Sequence, residues 1–155
     1  KELIILDKNQ IIARLNWFYT LELNQVDLYI TQSKKVADQY TRKVLERSAQ
    51  IEEQHALNIS AKLKELGAKP TLLGDVLGPL TGKIGGHVIP LVGLKNMLKA
   101  NVMLEQKAMA DYKKFISSLK GEKGLVDLLW THLIDEDLHA SWFESKAKEL
   151  EMEPQ

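Results

Sequence analysis

The sequence contains no cysteine, which excludes disulfide staples, thiolate metal sites and a thiol nucleophile and leaves the redox compartment open. It has no uninterrupted apolar run approaching the ~20 residues of a membrane-spanning helix, and its first residues lack the pattern of a signal peptide. It also lacks an excess of charge of either sign. Lys plus Arg and Asp plus Glu both number 21, so no overall field draws the chain toward nucleic acid or an acidic membrane surface. Strand-like alternation is absent throughout. These absences lead us to expect a soluble, cytoplasmic protein with neither nucleic acid nor membrane as a partner.

What is present is an ordinary globular composition, 45% apolar and 27% charged over 155 residues, which predicts one domain spanning 1–155. Apolar residues recur at three- and four-residue intervals from about Lys8 to Val36, with Ile11, Leu15, Phe18, Val26 and Tyr29 on one stripe. A second stripe from about Gln39 to Leu66 carries Leu45, Ala49, Ala56, Ile59 and Leu63, and Gly67 followed by Pro70 is a helix stop. The segment Thr71–Gly86 holds five glycines and a proline, which forbid one long helix but allow a short one between loops. The pattern resumes from about Leu91 to Leu119 through Leu94, Leu98, Val102, Met109, Tyr112 and Ile116. KGEKG, Lys120 to Gly124, reads as a turn before a last helix marked by Leu125, Leu129, Leu133, Ala140, Phe143 and Leu150. The expected fold is all-α: a four-helix bundle of two antiparallel pairs joined by a long crossover.

Glu136 and His139 lie three residues apart on the apolar stripe of the last helix, within about 60° of each other and roughly 4.5 Å along the axis. Glu52 and His55 repeat that spacing in the second helix. The other two long helices each place a glutamate on their stripes, Glu22 and Glu105, so four carboxylates point where a core belongs. Two residues on antiparallel helices are level only when the turn lies midway between them. The midpoint of Glu22 and Glu52 is residue 37, and that of Glu105 and Glu136 falls between Lys120 and Gly121, both at expected turns. The halves repeat each other, with Glu-to-Glu spacings of 30 and 31 and a tyrosine, Tyr29 or Tyr112, seven residues after the first glutamate.

Four carboxylates in one dry space repel and protonate unless cations are present. Two divalent ions balance four carboxylates, with neutral His55 and His139 as nitrogen ligands. Oxygen and imidazole donors without thiolate suit iron or manganese. Ala49, Ala56, Ala108 and Ala140 leave room beside the ions for dioxygen, peroxide or a small substrate.

Glu22, Glu52 with His55, Glu105, and Glu136 with His139 follow the ligand order of the ferritin-like di-iron carboxylate superfamily, which the chain resembles over residues 8 to 151. The second Glu-x-x-His makes it look like the rubrerythrin and bacterioferritin group. It is expected to differ from rubrerythrins, whose cysteine-rich rubredoxin module these 155 residues do not contain, and from bacterioferritins, whose short fifth helix they do not supply. Relatives commonly place Asp directly before each Glu-x-x-His; Asp135 matches and Ile51 does not. The Gly-rich crossover and apolar Ile84–Leu94 have the character of the demethoxyubiquinone hydroxylase family, whose crossover approaches a membrane quinone.

The resemblance implies a metal set of Glu22, Glu52, His55, Glu105, Glu136 and His139 holding two iron ions, with manganese as the substitute. It favours an oxidoreductase, a rubrerythrin-like peroxidase or ferroxidase that meets dioxygen or hydrogen peroxide and a separate electron donor. A di-iron hydroxylase of an organic substrate such as a quinone is the rival reading, and a metal-storing or structural bundle is the third. Tyr29, Tyr112 and Asp135 are expected to support the ligands by hydrogen bonding, against amphipathic packing for the tyrosines and a solvated acid for Asp135. His132 is read first as a satisfied core or surface histidine. Trp17, Trp130 and Trp142 are read as packing or dimer contacts, and the expected assembly is a homodimer.

Overall fold

The computed structural model describes residues 4–77, 83–84, 87–88 and 93–154. They form four long helices, α1 (Lys8–Ser33), α2 (Gln39–Glu65), α3 (Leu94–Ser117) and α4 (Lys123–Met152), and two short strands, β1 (Lys83–Ile84) and β2 (His87–Val88). The chain divides into two compact units, one built on α1 and α2 and ending at Leu77, the other on α3 and α4 within Gly78–Gln155. Among the described residues no helix is long and apolar enough to cross a membrane.

The first unit is an α1–α2 hairpin whose ends are fixed by side chains. Asp7 accepts a hydrogen bond from the Gln10 backbone N–H while the Gln10 side chain accepts from that of Asp7, both at 2.9 Å, so two otherwise orphaned donors at the start of α1 are satisfied. Asp38 does the same work for α2, accepting from Thr41 N at 2.8 Å. The Arg42 guanidinium reaches back to the Val36 carbonyl at 3.1 Å and braces the connection. At the far end Gly67, φ +77°, takes the left-handed conformation that lets Ala68 N donate to Leu63 O at 2.9 Å and close the helix. Leu15, Phe18, Tyr29, Leu45, Ile59 and Leu63 are fully buried. Burying each such side chain contributes about 1.5–3 kcal/mol.

The second unit is the α3–α4 hairpin, turned through Gly121, φ +77°. Leu98, Tyr112, Phe115, Leu125, Leu129 and Phe143 form its buried side. Its last helix begins at Lys123, inside the segment KGEKG expected to be all turn; Lys123 and Gly124 are already helical, so the connection is shorter than the glycines suggest. The stripe on α3 is also rotated from expectation. Leu104 and Phe115 are buried, while Val102, Met109 and Ile116 are only half-buried.

The crossover differs most from expectation. Residues 71–77 contain no helix and run along α1, tied to it by three side chains one turn apart. Asn16 Oδ1 accepts from Thr71 N at 2.8 Å, Thr20 Oγ1 from Leu73 N at 3.0 Å and Asn24 Oδ1 from Val76 N at 2.7 Å. An extended strap of this kind satisfies its backbone donors through a helix face rather than a sheet, a solution invisible to hydrophobic periodicity. Beyond it, β1 and β2 pair antiparallel, Lys83 with Val88 and Ile84 with His87; at two residues each they are too short to show alternation and leave the all-α class unchanged.

The strap makes a direct prediction. Thr20→Val keeps the shape of a fully buried side chain but removes the acceptor for Leu73 N. Stability should fall by about 1–2 kcal/mol. Amide exchange at Leu73 should accelerate while α1 amides keep their protection, which hydrogen-exchange NMR measures directly.

Candidate metal centre

Each hairpin assembles a trio of two carboxylates and one imidazole. In the first, Glu22 comes from α1 and Glu52 and His55 from α2; the 30-residue spacing brackets the connection at 34–38 and brings all three to one level. His55 Nδ1 stands 3.3 Å from Glu22 Oε2 and 3.1 Å from Glu52 Oε2. In the second, Glu105 comes from α3 and Glu136 and His139 from α4. His139 Nδ1 stands 3.6 Å from Glu105 Oε1 and 3.8 Å from Glu136 Oε2. Within each trio one ligand atom per residue lies within 4.8 Å of the others.

All six side chains are buried, the four glutamates completely. No lysine or arginine is buried among the described residues, so no fixed basic side chain accompanies the carboxylates into the interior. The effect is explicit at Glu105. Burial pushes its carboxyl well above the usual carboxylate range, the neighbouring Glu136 charge and a hydrogen bond to Glu136 add to the push, and His139 pulls partly back. Such a carboxyl keeps its proton to higher pH than a free one, and a nearby cation would oppose that shift.

The donor set fits a cation of the iron or manganese kind. Two ligands each about 2.1 Å from one ion and subtending 90–120° stand roughly 3.0–3.6 Å apart. The first trio, at 3.1 and 3.3 Å, falls within that spacing; in the second, His139 to Glu105 at 3.6 Å sits at its wide end and His139 to Glu136 at 3.8 Å just beyond it. In both trios it is Nδ1 that faces the carboxylates.

The remaining expected site residues fall out differently. Tyr29 and Tyr112 are fully buried. Tyr112 Oη lies 3.2 Å from His132 Nδ1 with the rings edge to face, so His132 is a core histidine with a defined partner. Asp135 is half-buried on α4. His87 and most of Ile84–Leu94, the stretch behind the quinone-hydroxylase likeness, lie outside the described residues except for the backbone of Ile84, His87 and Val88 and for Gly93 and Leu94.

Periodicity misses the buried Gln25. The α1 stripe places Val26 in the core, but Gln25 takes the buried position and Val26 is half-buried. Gln25 lies three residues after Glu22, the same spacing as Glu to His on α2 and α4, and that repetition is the available signal.

A scan against protein-family models and a search of curated proteins find no match. Among solved structures the chain is similar to the bacterioferritin of Desulfovibrio desulfuricans, an X-ray structure presented for that protein's diiron site in different catalytic states. The two share 21% identity over 93% of this chain and 81% of that one, with a TM-score of 0.75. An alignment of that extent at that identity is evidence about architecture. The chain has the ferritin-like four-helix-bundle fold, two antiparallel helix pairs joined by a long crossover.

Proposed function

We propose that this is a di-iron carboxylate protein that reacts with dioxygen or hydrogen peroxide, an oxidoreductase of the rubrerythrin-like peroxidase or ferroxidase kind. The observation that carries it is the pair of buried Glu–Glu–His trios, with no lysine or arginine buried among the described residues. The reading treats 1–155 as one domain in which Glu22, Glu52, His55, Glu105, Glu136 and His139 serve a single centre. The diiron site of the bacterioferritin of like fold supports that assignment. Manganese is the substitute metal.

When bound, a pair of ferrous ions supplies electrons to the O–O bond of dioxygen or peroxide. The chain does the rest. Four glutamates neutralise two divalent ions, so the interior carries no net charge once the carboxyl proton at Glu105 is given up. His55 and His139 present Nδ1 as neutral donors, leaving Nε2 for an outer partner. Tyr29, Tyr112 and Asp135 are proposed to support this set: Tyr112 through its contact with His132, Tyr29 from a buried position two turns after Glu22, and Asp135 beside Glu136. No observation favours the quinone-hydroxylase reading over this one.

The partner expected in assembly is a second copy of the chain, and the outward face of α4 supports it. Trp130, Ile134 and Leu138 are 47%, 54% and 62% exposed and fall within about 40° of one line along the helix. The positions that stand in the same relation to Glu52 on α2 are Glu46, Gln50 and Gln54, so an apolar face here is not imposed by the bundle. An antiparallel copy centred on Ile134 sets Trp130 of one protomer against Leu138 of its partner. Farther out along the same line, that register sets exposed Asp127 against exposed Ser141 and exposed Lys123 against exposed Ser145. Each charge flanking the stripe therefore meets a hydroxyl, and no like charges are opposed. The three apolar side chains offer roughly 300 Å² per protomer against the about 800 Å² of a standard interface, so the proposed dimer is a weak one.

Two measurements test these readings. Anaerobic addition of ferrous iron followed by air should leave about two irons per chain with a near-ultraviolet charge-transfer band that reductant bleaches. Glu52→Ala should abolish binding; retention of both ions in that variant, or a wild type that takes up no metal and loses no stability for it, contradicts the assignment. Sedimentation velocity should show a concentration-dependent dimer that Ile134→Lys converts to monomer, and an unaltered dimer in that variant removes α4 from the interface.

A further inference from the structure

Gln25 is completely buried, and among the described residues neither its Nε2 nor its Oε1 has a hydrogen-bond partner. An amide in that state opposes folding, because both of its polar atoms have given up water without replacement. Leucine or methionine would fill the same space without that penalty. The bundle does not call for a polar group at this height either: the residue three after Glu105 in the second half is the buried Ala108. Gln25 is therefore an addition to one half of the repeat.

Its placement says what the amide is for. Side chains on a helix lean toward the preceding turn, so a residue three after Glu22 covers the turn that carries Glu22. That carboxylate is the one 3.3 Å from His55 Nδ1, so Gln25 and the Glu22–Glu52–His55 trio share one interior face of the α1–α2 hairpin. A primary amide donates and accepts at once and carries no charge. It neither neutralises a cation as a carboxylate does nor competes strongly with imidazole for one. It suits a small molecule that needs a donor on one side and an acceptor on the other.

We infer that Gln25 is a binding residue for an exogenous small oxygen-donor or anionic ligand at the Glu22–Glu52–His55 trio, its Nε2 donating to that ligand and its Oε1 accepting from any proton the ligand carries. The inference rests on the metal reading of that trio and adds to it a group that holds the incoming ligand rather than the ion. It assigns the two halves different work, since Ala108 offers no such contact.

Azide is the probe, because it binds ferric centres as a small anion and its charge-transfer band reports occupancy. Iron-loaded wild type and Gln25→Leu are titrated with azide, and both are melted after iron removal. Gln25→Leu should keep the full iron complement, melt higher than wild type when metal-free, and bind azide about tenfold more weakly. Unchanged azide affinity at full iron content overturns this inference and leaves the metal reading standing. Loss of iron from Gln25→Leu overturns it as well, by placing Gln25 among the groups that hold the ions. Wild type that takes up no iron overturns both. If the leucine variant does not fold, Gln25→Met, closer in length and flexibility, decides on the same outcomes.

Discussion

The structure depends on the burial of four glutamates, with no lysine or arginine buried among the described residues. A carboxylate moved from water into a protein interior either finds a cation or takes a proton, and the raised affinity of Glu105 for its proton shows the second course in the absence of the first. An ordinary bundle avoids the problem by placing leucine at such positions. Here leucine, isoleucine, phenylalanine and tyrosine stand seven residues to either side of every buried glutamate: Leu15 and Tyr29, Leu45 and Ile59, Leu98 and Tyr112, Leu129 and Phe143, all fully buried. Each helix thus carries one polar level between apolar ones, and the apolar levels supply the burial that offsets the polar one.

The same constraint explains the connections. A trio closes only if its two helices are in register, and register in a helical hairpin is set by the turn. The first turn is braced by Asp38 as a cap and by Arg42 on the Val36 carbonyl; the second relies on the left-handed Gly121. The firmer turn belongs to the trio with the shorter separations, 3.1 and 3.3 Å against 3.6 and 3.8 Å. The halves are a repeat in sequence but not in chemistry, because one adds Gln25 and the other the Tyr112–His132 contact.

Much of this was legible before any coordinates. Glu-x-x-His on two helices, a lone glutamate on each of the others and midpoints at the turns fix fold class and candidate ligands together, because each depends on helical geometry that sequence spacing encodes directly. What was not legible involves polar atoms meeting backbone or each other. Asn16, Thr20 and Asn24 look like a solvated stripe until the strap at 71–77 lies on them. Gln25 lost its place to Val26 because the two are neighbours about 100° apart at the edge of a stripe, and hydrophobicity alone prefers the valine. His132 could not be assigned a partner from spacing, since Tyr112 lies on another helix.

Each trio is complete within one helical hairpin, its members brought together by contacts 33 residues apart in the first, Glu22 to His55, and 34 apart in the second, Glu105 to His139. Local contacts of that kind form at little cost in chain entropy. The arrangement of each trio is consequently a property of the hairpin and its turn, made by the fold itself, in contrast to small metal domains that are unfolded without their ion. The penalty of that preorganisation is electrostatic. Glutamates held at one level cannot separate to relieve their repulsion, and at Glu105 burial and the neighbouring Glu136 together raise the carboxyl's hold on a proton. A neutral amide such as Gln25 is a polar group that the interior can hold without changing that balance of charge.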